Sequence, residues 1–204
     1  MRKSHSSIDE ITWLAQMTFF NKSIINNMNR LILIKPSYEH KEQILDMVKE
    51  WAEYNVTHLT DPSPRSIFIK DYSNFDKYID EFKQEEINPK EGFVPATTYF
   101  ALDKERNVIV GAIQIRHYLN EHLRNSGGHI GDGVRPSERR KGYATEMIGL
   151  ALQICKNMGL DRVMISCNEN NIGSKKSILN NGGIYERTVD EDGENLEIYW
   201  IENK

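Results

Sequence analysis

At 204 residues, 39% hydrophobic and 27% charged, the chain has the size and balance of one globular domain that can bury a full core. Its net charge of −4 argues against sequence-independent binding of nucleic acid, which needs a broad basic surface. No run approaches the length of a transmembrane helix. The cysteines, Cys155 and Cys167, lack CxxC or zinc-type His/Cys spacing, so neither a metal, a membrane nor a nucleic acid is expected as partner. Two buried thiols fit a reducing, cytoplasmic compartment.

In chain order, residues 1–27 stand apart. A weakly amphipathic stretch from Ile11 to Phe20 precedes a polar run through Asn21 and Asn26-Asn27. Interrupted by Thr and Gln and lacking a small-residue cleavage site, it does not read as a secretory signal. The expected organisation is an N-terminal extension over 1–27, an appended helix, and a domain proper over 28–204. The first strand signal is Leu31-Ile-Leu-Ile-Lys35. Pro36-Ser37 ends it and caps a helix in which Ile44, Leu45, Val48 and Trp51 recur at helical spacing. Ser73-x-x-Asp76 opens a second helix as a capping box, with Phe75, Tyr78, Ile79 and Phe82 as its buried stripe.

Strands follow. Thr97 to Leu102 and Val108 to Tyr118 flank a turn at Asp103 to Asn107, as in an antiparallel hairpin, and His129 to Val134 is a third strand. Ala144, Met147, Ile148, Ala151, Cys155 and Met158 mark one face of a helix that stops at Gly159. Arg162 to Asn168 reads as a strand, Ser174 to Asn181 as a short helix ended by Gly182-Gly183, and Ile184 to Val189 and Leu196 to Ile201 as a closing hairpin. The order β α α β β β α β α β β predicts an α/β fold with a mixed sheet.

The strand-to-helix junction Val134-Arg-Pro-Ser-Glu-Arg-Arg-Lys-Gly-Tyr-Ala-Thr145 carries the chemistry. Arg135, Arg139, Arg140 and Lys141 crowd against Gly142 and Ala144, small residues of an Arg-x-x-Gly-x-Ala run. A helix N-terminus presents unpaired N–H groups and the positive end of its dipole, and small residues admit a bulky phosphate to the backbone. The flanking cations suit a ligand with more than one phosphate. Gly131-Asp-Gly133-Val-Arg-Pro136 fails the dinucleotide fingerprint at Pro136, and no Walker motif occurs. Taken alone, such a cluster is as readily a solvated helix start.

Strand, cradle, long helix, strand, Asn-rich loop, short helix and terminal hairpin, in that order, resemble the GNAT superfamily of acyl-CoA-dependent N-acetyltransferases over roughly residues 29–203. The resemblance implies a mostly antiparallel central sheet flanked by helices, splayed between the strand ending at Val134 and the strand ending at Asn168. Acetyl-CoA would lie in that cleft as co-substrate. The backbone from Arg139 through Arg140, Lys141, Gly142, Tyr143 and Ala144 to Thr145 would hold its diphosphate, and the Val134 backbone would pair with the pantetheine and polarise the thioester. Asn168 and Asn171 would contact the acyl end, although an Asx turn with an N-cap is their default reading; Lys175 would reach a phosphate. The implied activity is acetyl transfer by direct attack of a primary amine, of a small molecule or a peptide, in a ternary complex, by a monomer or a homodimer.

The chain departs from the family pattern at two positions. The usual proton-donating tyrosine is Ile178, and the usual base position falls near Gly128. A non-catalytic acyl-CoA sensor is therefore the alternative reading. The candidate bases are His129, Asp132 and His117, in that order, each histidine having a structural role as its ordinary alternative. Strand alternation sets Asp132 on the face of Val134 and His129 on the other. Glu50, Glu53, Asp71, Asp80 and Glu81, with Trp51, Tyr54, Tyr72 and Trp200, suggest an acidic, aromatic mouth for a cationic amine.

Overall fold

The computed structural model describes residues 29–58, 60 and 63–204; the extension expected over 1–27 lies outside the described residues. One seven-stranded sheet runs through the molecule in the order β1-β2-β3-β4-β5-β7-β6. Its strands are β1 (Leu31–Ile34), β2 (Ala96–Asp103), β3 (Val108–Arg116), β4 (Ile130–Val134), β5 (Arg162–Asn168), β6 (Ile184–Glu191) and β7 (Glu194–Glu202). Every neighbouring pair is antiparallel except β4 and β5, which run parallel. The expected α/β architecture, mixed and mostly antiparallel, is the one observed.

Helices cover both faces. On the first face lie α1 (Lys41–His58), the single turn α2 (Ser66–Ile69) and α3 (Phe75–Ile87). Ile44, Met47, Val48 and Trp51 of α1 and Phe75, Tyr78, Ile79 and Phe82 of α3 are buried together against Phe100, Ile109 and Ala112. On the second face, α4 (Tyr143–Asn157) and α5 (Ile172–Asn180) pack Met147, Ile148, Ala151, Cys155 and Ile178 onto Ile113, Ile115, Ile130, Val163 and Ile165. Each fully buried aliphatic or aromatic side chain contributes roughly 1.5–3 kcal/mol, which is why the 3.6-residue stripes were legible.

Local chemistry shifts some boundaries. Asn74, not Ser73, caps α3: its Oδ1 accepts the Lys77 N–H at 3.1 Å, while the Ser73 hydroxyl donates to Asp71. Ser37 precedes a 3-10 turn at Tyr38–His40 and makes no capping bond. Helix α5 begins two residues earlier than expected because Asn171 caps it, accepting the Ser174 N–H at 3.1 Å. Met158 lies past the end of α4 and is exposed. Strand β3 stops at Arg116, and a π turn at Leu123–Gly127 leads into β4.

Candidate functional site

The parallel pair that the connectivity forces at the sheet centre barely forms. β4 and β5 are matched only at Ile130↔Ile165, and the backbone N–H of His129 reaches Met164 O at 2.7 Å just before it. Beyond that bridge the strands part. Along its other edge β4 stays in regular register with β3, from Ile115↔Ile130 to Gly111↔Val134, without a bulge. Arg116 N–H donates to His129 O and Arg135 N–H to Val110 O, so odd-numbered residues of β4 bond to β3. The even-numbered ones, Asp132 and Val134, therefore aim their N–H groups into the cleft.

At the cleft mouth the chain turns through Pro136–Glu138 and enters α4. Arg140 (φ +66°) and Gly142 (φ +84°) adopt left-handed conformations, the second at the N-cap, where glycine costs nothing. Among the described residues, the N–H groups of Arg140, Lys141 and Gly142 donate to no other group. Those of Tyr143, Ala144 and Thr145 are the unpaired donors of the first helical turn. A Cβ on Gly142 would meet only the Arg30 guanidinium, at 3.8 Å. The geometry is an open nest of N–H donors that an anion can approach closely.

The basic side chains divide their labour. Arg135 is buried and bonded to Glu50 and Asp46 of α1, so it anchors that helix to the cradle. Lys141 Nζ sits 2.8 Å from Glu138, which also takes both terminal nitrogens of Arg106 at 2.7 Å. The bonds from Arg106 hold the Glu138 carboxyl down at about 2. Arg139 donates to Val134 O at 3.1 Å and lies over the Tyr54 ring at 4.5 Å. Arg140 makes no ion pair among the described residues. Arg30 was not anticipated. It stacks on Tyr143 at 4.4 Å, donates to Lys141 O at 3.2 Å and pairs with Glu146 at 3.1 Å, bringing a guanidinium from more than a hundred residues upstream that no local pattern reveals. The Tyr143 side chain is buried on Asp103 at 2.6 Å, which leaves only its backbone to face the cradle.

Across the cleft, Asn168 and Asn171 are occupied in shaping the loop. Asn168 accepts from Asn170 N–H and donates to Glu194, and Asn171 is the α5 cap. Lys175 Nζ is 2.7 Å from Glu197, which also accepts the Tyr199 hydroxyl at 2.6 Å. Burial pushes the Cys167 thiol up to about 11, with Glu197 adding to the effect, so it stays protonated. Ile178 is wholly buried in the second-face core.

The three candidate bases are not brought together. His129 is buried, and its Nδ1 accepts the Met164 N–H at 2.9 Å. Burial, with the charges of Arg116 and Arg124, lowers its pKa to about 4. It is a staple closing the vertex of the splay, with no lone pair to spare. His117, just past the end of β3, bonds Thr97 at 2.8 Å and lies four residues along the chain from Ile113, the partner of Asp132, about 13 Å away at 3.3 Å per residue. Asp132 borders the cleft through its backbone N–H, with its side chain on the face of Ile130 and Val134. It makes no hydrogen bond or ion pair among the described residues, and burial pushes its carboxyl up to about 7.

Several residues of the expected acidic mouth have other partners or are exposed. Glu50 is tied to Arg135 and Ser137, Asp71 to Ser73, and Asp80 is exposed on α3. Among the described residues, no helix is long and apolar enough to span a membrane, and no cluster of three or more His, Cys, Asp or Glu is placed to hold a metal.

A family model described as an acetyltransferase (GNAT) domain matches residues 30–183. The fold is similar to that of the microcin C7 self-immunity acetyltransferase MccE, solved with acetyl-CoA and AMP, with a TM-score of 0.62 and 19% identity over 85% of this chain and 93% of that one. It is also similar to RimL, a ribosomal L7/L12 alpha-N-protein acetyltransferase solved with coenzyme A, at 0.60 and 15% over 85% and 94%. A Vibrio cholerae protein described as a ribosomal-protein-serine acetyltransferase gives 0.59 and 16% over 86% and 95%. No curated protein sequence matches the chain.

Proposed function

Since the chain belongs to the GNAT acetyltransferases, we propose that it moves the acetyl group of acetyl-CoA to a primary amine by direct attack in a ternary complex. The observation that carries this reading is the open N–H nest at Gly142, set at the mouth of a cleft whose strands part after one bridge. The complexes of MccE with acetyl-CoA and of RimL with coenzyme A support the choice of donor.

The residues present fit such a donor. The N–H groups from Arg140 to Thr145, with Arg30 and Arg140 beside them, suit a diphosphate. The Val134 N–H, aimed into the gap, suits a carbonyl oxygen that gains charge as the amine attacks. Arg139 caps Val134 O and must swing aside if that carbonyl is to receive the pantetheine. The bound thioester supplies an activated acyl carbon.

The remaining task is the proton. At neutral pH, an amine of pKa near 10.4 must give up about 4.6 kcal/mol to expose its lone pair. Asp132, with its carboxyl near 7, takes that proton as the N–C bond forms and the C–S bond breaks. The departing thiolate, of pKa about 8.5, leaves without a strong acid, so Ile178 at the usual tyrosine position is tolerated.

Calorimetric titration with acetyl-CoA tests the cradle. Saturable binding to the wild type and its loss in Gly142→Glu are expected, because the variant puts a carboxylate into the nest and strains a left-handed N-cap. A wild type that binds no acetyl-CoA would sink the reading.

A further inference from the structure

On the first face, just below the vertex of the splay, lie three side chains that each keep an N–H with no acceptor among the described residues. Arg116 ends β3 with its guanidinium against β4. One terminal nitrogen donates to the carbonyls of Gly127 and Gly128 at 2.9 and 3.2 Å. The other lies 3.4 Å from where a Cβ on Gly131 would stand, one residue before Asp132, and makes no bond among the described residues. Arg116 forms no ion pair among those residues. Glu85, whose field reaches it, is itself bonded to Lys70 at 2.9 Å. His129 is the second donor. Because its Nδ1 accepts from Met164, the neutral ring carries its proton on Nε2. The third is the indole N–H of Trp200, which is buried with no partner among the described residues, its ring 6.3 Å from that of His129.

A half-buried guanidinium with no carboxylate is costly, and so is an orphaned indole N–H. A set of donors without an acid among them is the complement of a carboxylate. The site adjoins the cleft, because past Ile130 β4 has an open edge toward β5 and that edge joins the two faces.

We propose that the acceptor is a small amine bearing a carboxylate, an amino acid or a close analogue, whose carboxylate binds Arg116, His129 and Trp200 and so sets its amine at the edge of β4. This rests on the acetyltransferase reading and replaces the cationic acceptor suggested by composition. The carboxylate site lies on the first face and the Asp132 side chain on the face of Ile130 and Val134, so the acceptor's amine meets Asp132 through the open edge of β4.

Thiol release at fixed acetyl-CoA, measured over the free amino acids and their carboxamides, tests the assignment. At least one amino acid should be turned over with kcat/KM roughly tenfold or more above its amide, the value of a charge-assisted contact. Arg116→Gln should abolish that discrimination while calorimetric affinity for acetyl-CoA holds. Trp200→Phe, which keeps the ring and removes only the N–H, should raise KM for the amino acid several-fold with kcat unchanged, and it remains informative if Arg116→Gln misfolds. Amides used as well as acids, or saturable acetyl-CoA binding with no amino acid turned over, would overturn the proposal and leave the donor reading standing. Failure of the wild type to bind acetyl-CoA would overturn both.

Discussion

Asp132 and Glu138 are carboxylates six residues apart that the fold drives in opposite directions. Asp132 has no partner among the described residues and is pushed up to about 7 by burial. Activity limited by its basic form should rise with pH through that value, since only the deprotonated carboxylate accepts a proton. Asp132→Asn should lower kcat by about 10²-fold or more and flatten the profile, with acetyl-CoA affinity unchanged; a profile still rising through 7 in the variant would dismiss Asp132 as base. Glu138 is held near 2, first by Arg106 and further by Lys141. Its folded value lies below the ordinary 4.5, so it stabilises the fold above that pH, and the contribution fades as pH falls toward 2. Glu138→Gln should cost about 1–3 kcal/mol at neutral pH, and urea titrations should show the gap from wild type closing in acid. Neither environment could be read from sequence. The residues that fix them, Arg106 for Glu138 and the burial around Asp132, arrive through the sheet from segments with no local link. His129 marks the same limit: alternation gave its face, but only the Met164 amide reveals that its lone pair is spent.

At the scale of elements, two glycines make the centre of the sheet thin. On the second face, a Cβ at Gly111 would press on Gly133 O and lie 3.1 Å from the Met147 sulfur. On the first face, a Cβ at Gly133 would drive into the Ser63 carbonyl and lie 2.6 Å from the Trp51 ring. Helices α4 and α1 thus close on the strand pair β3–β4 from both sides, and Arg135, bonded to Glu50 and Asp46, ties α1 to the cradle. Gly133→Ala should destabilise by about 1–3 kcal/mol, the usual cost of overpacking, as measured by chemical denaturation; a neutral result would mean that Trp51 moves freely. The helices and strands were legible because their stripes answer to one core on each face. The shorter elements were not. Ser66–Ile69 and Leu123–Gly127 are too brief to show a period, and α3 starts at Asn74 because Ser73 is claimed by Asp71, a competition between neighbouring caps that spacing alone does not settle.

Over the whole molecule, strand order and the family model agree on one architecture, and the junction at Gly142 was its most readable part because glycine and cations cluster in sequence as they do in space. The parted strands carry a consequence for cohesion. Strands β1 to β4 and strands β5, β7 and β6 are two curtains sewn at Ile130↔Ile165 and knotted by the imidazole of His129 on Met164. A molecule lying in the gap and bonding the amides on its edges would be a temporary strand, and its affinity would be paid back as mechanical union of the halves. Amide exchange should therefore be fast at Asp132 and Val134 in the free protein and slow across β5 to β7 once acetyl-CoA is added. Stability should rise with donor concentration, by about 2.7 kcal/mol at a hundredfold excess over Kd, and the melting temperature with it. Protection confined to the Gly142 nest would mean that the seam holds without its guest. On the proposed reading, the thread that joins the two curtains would be the donor the enzyme spends.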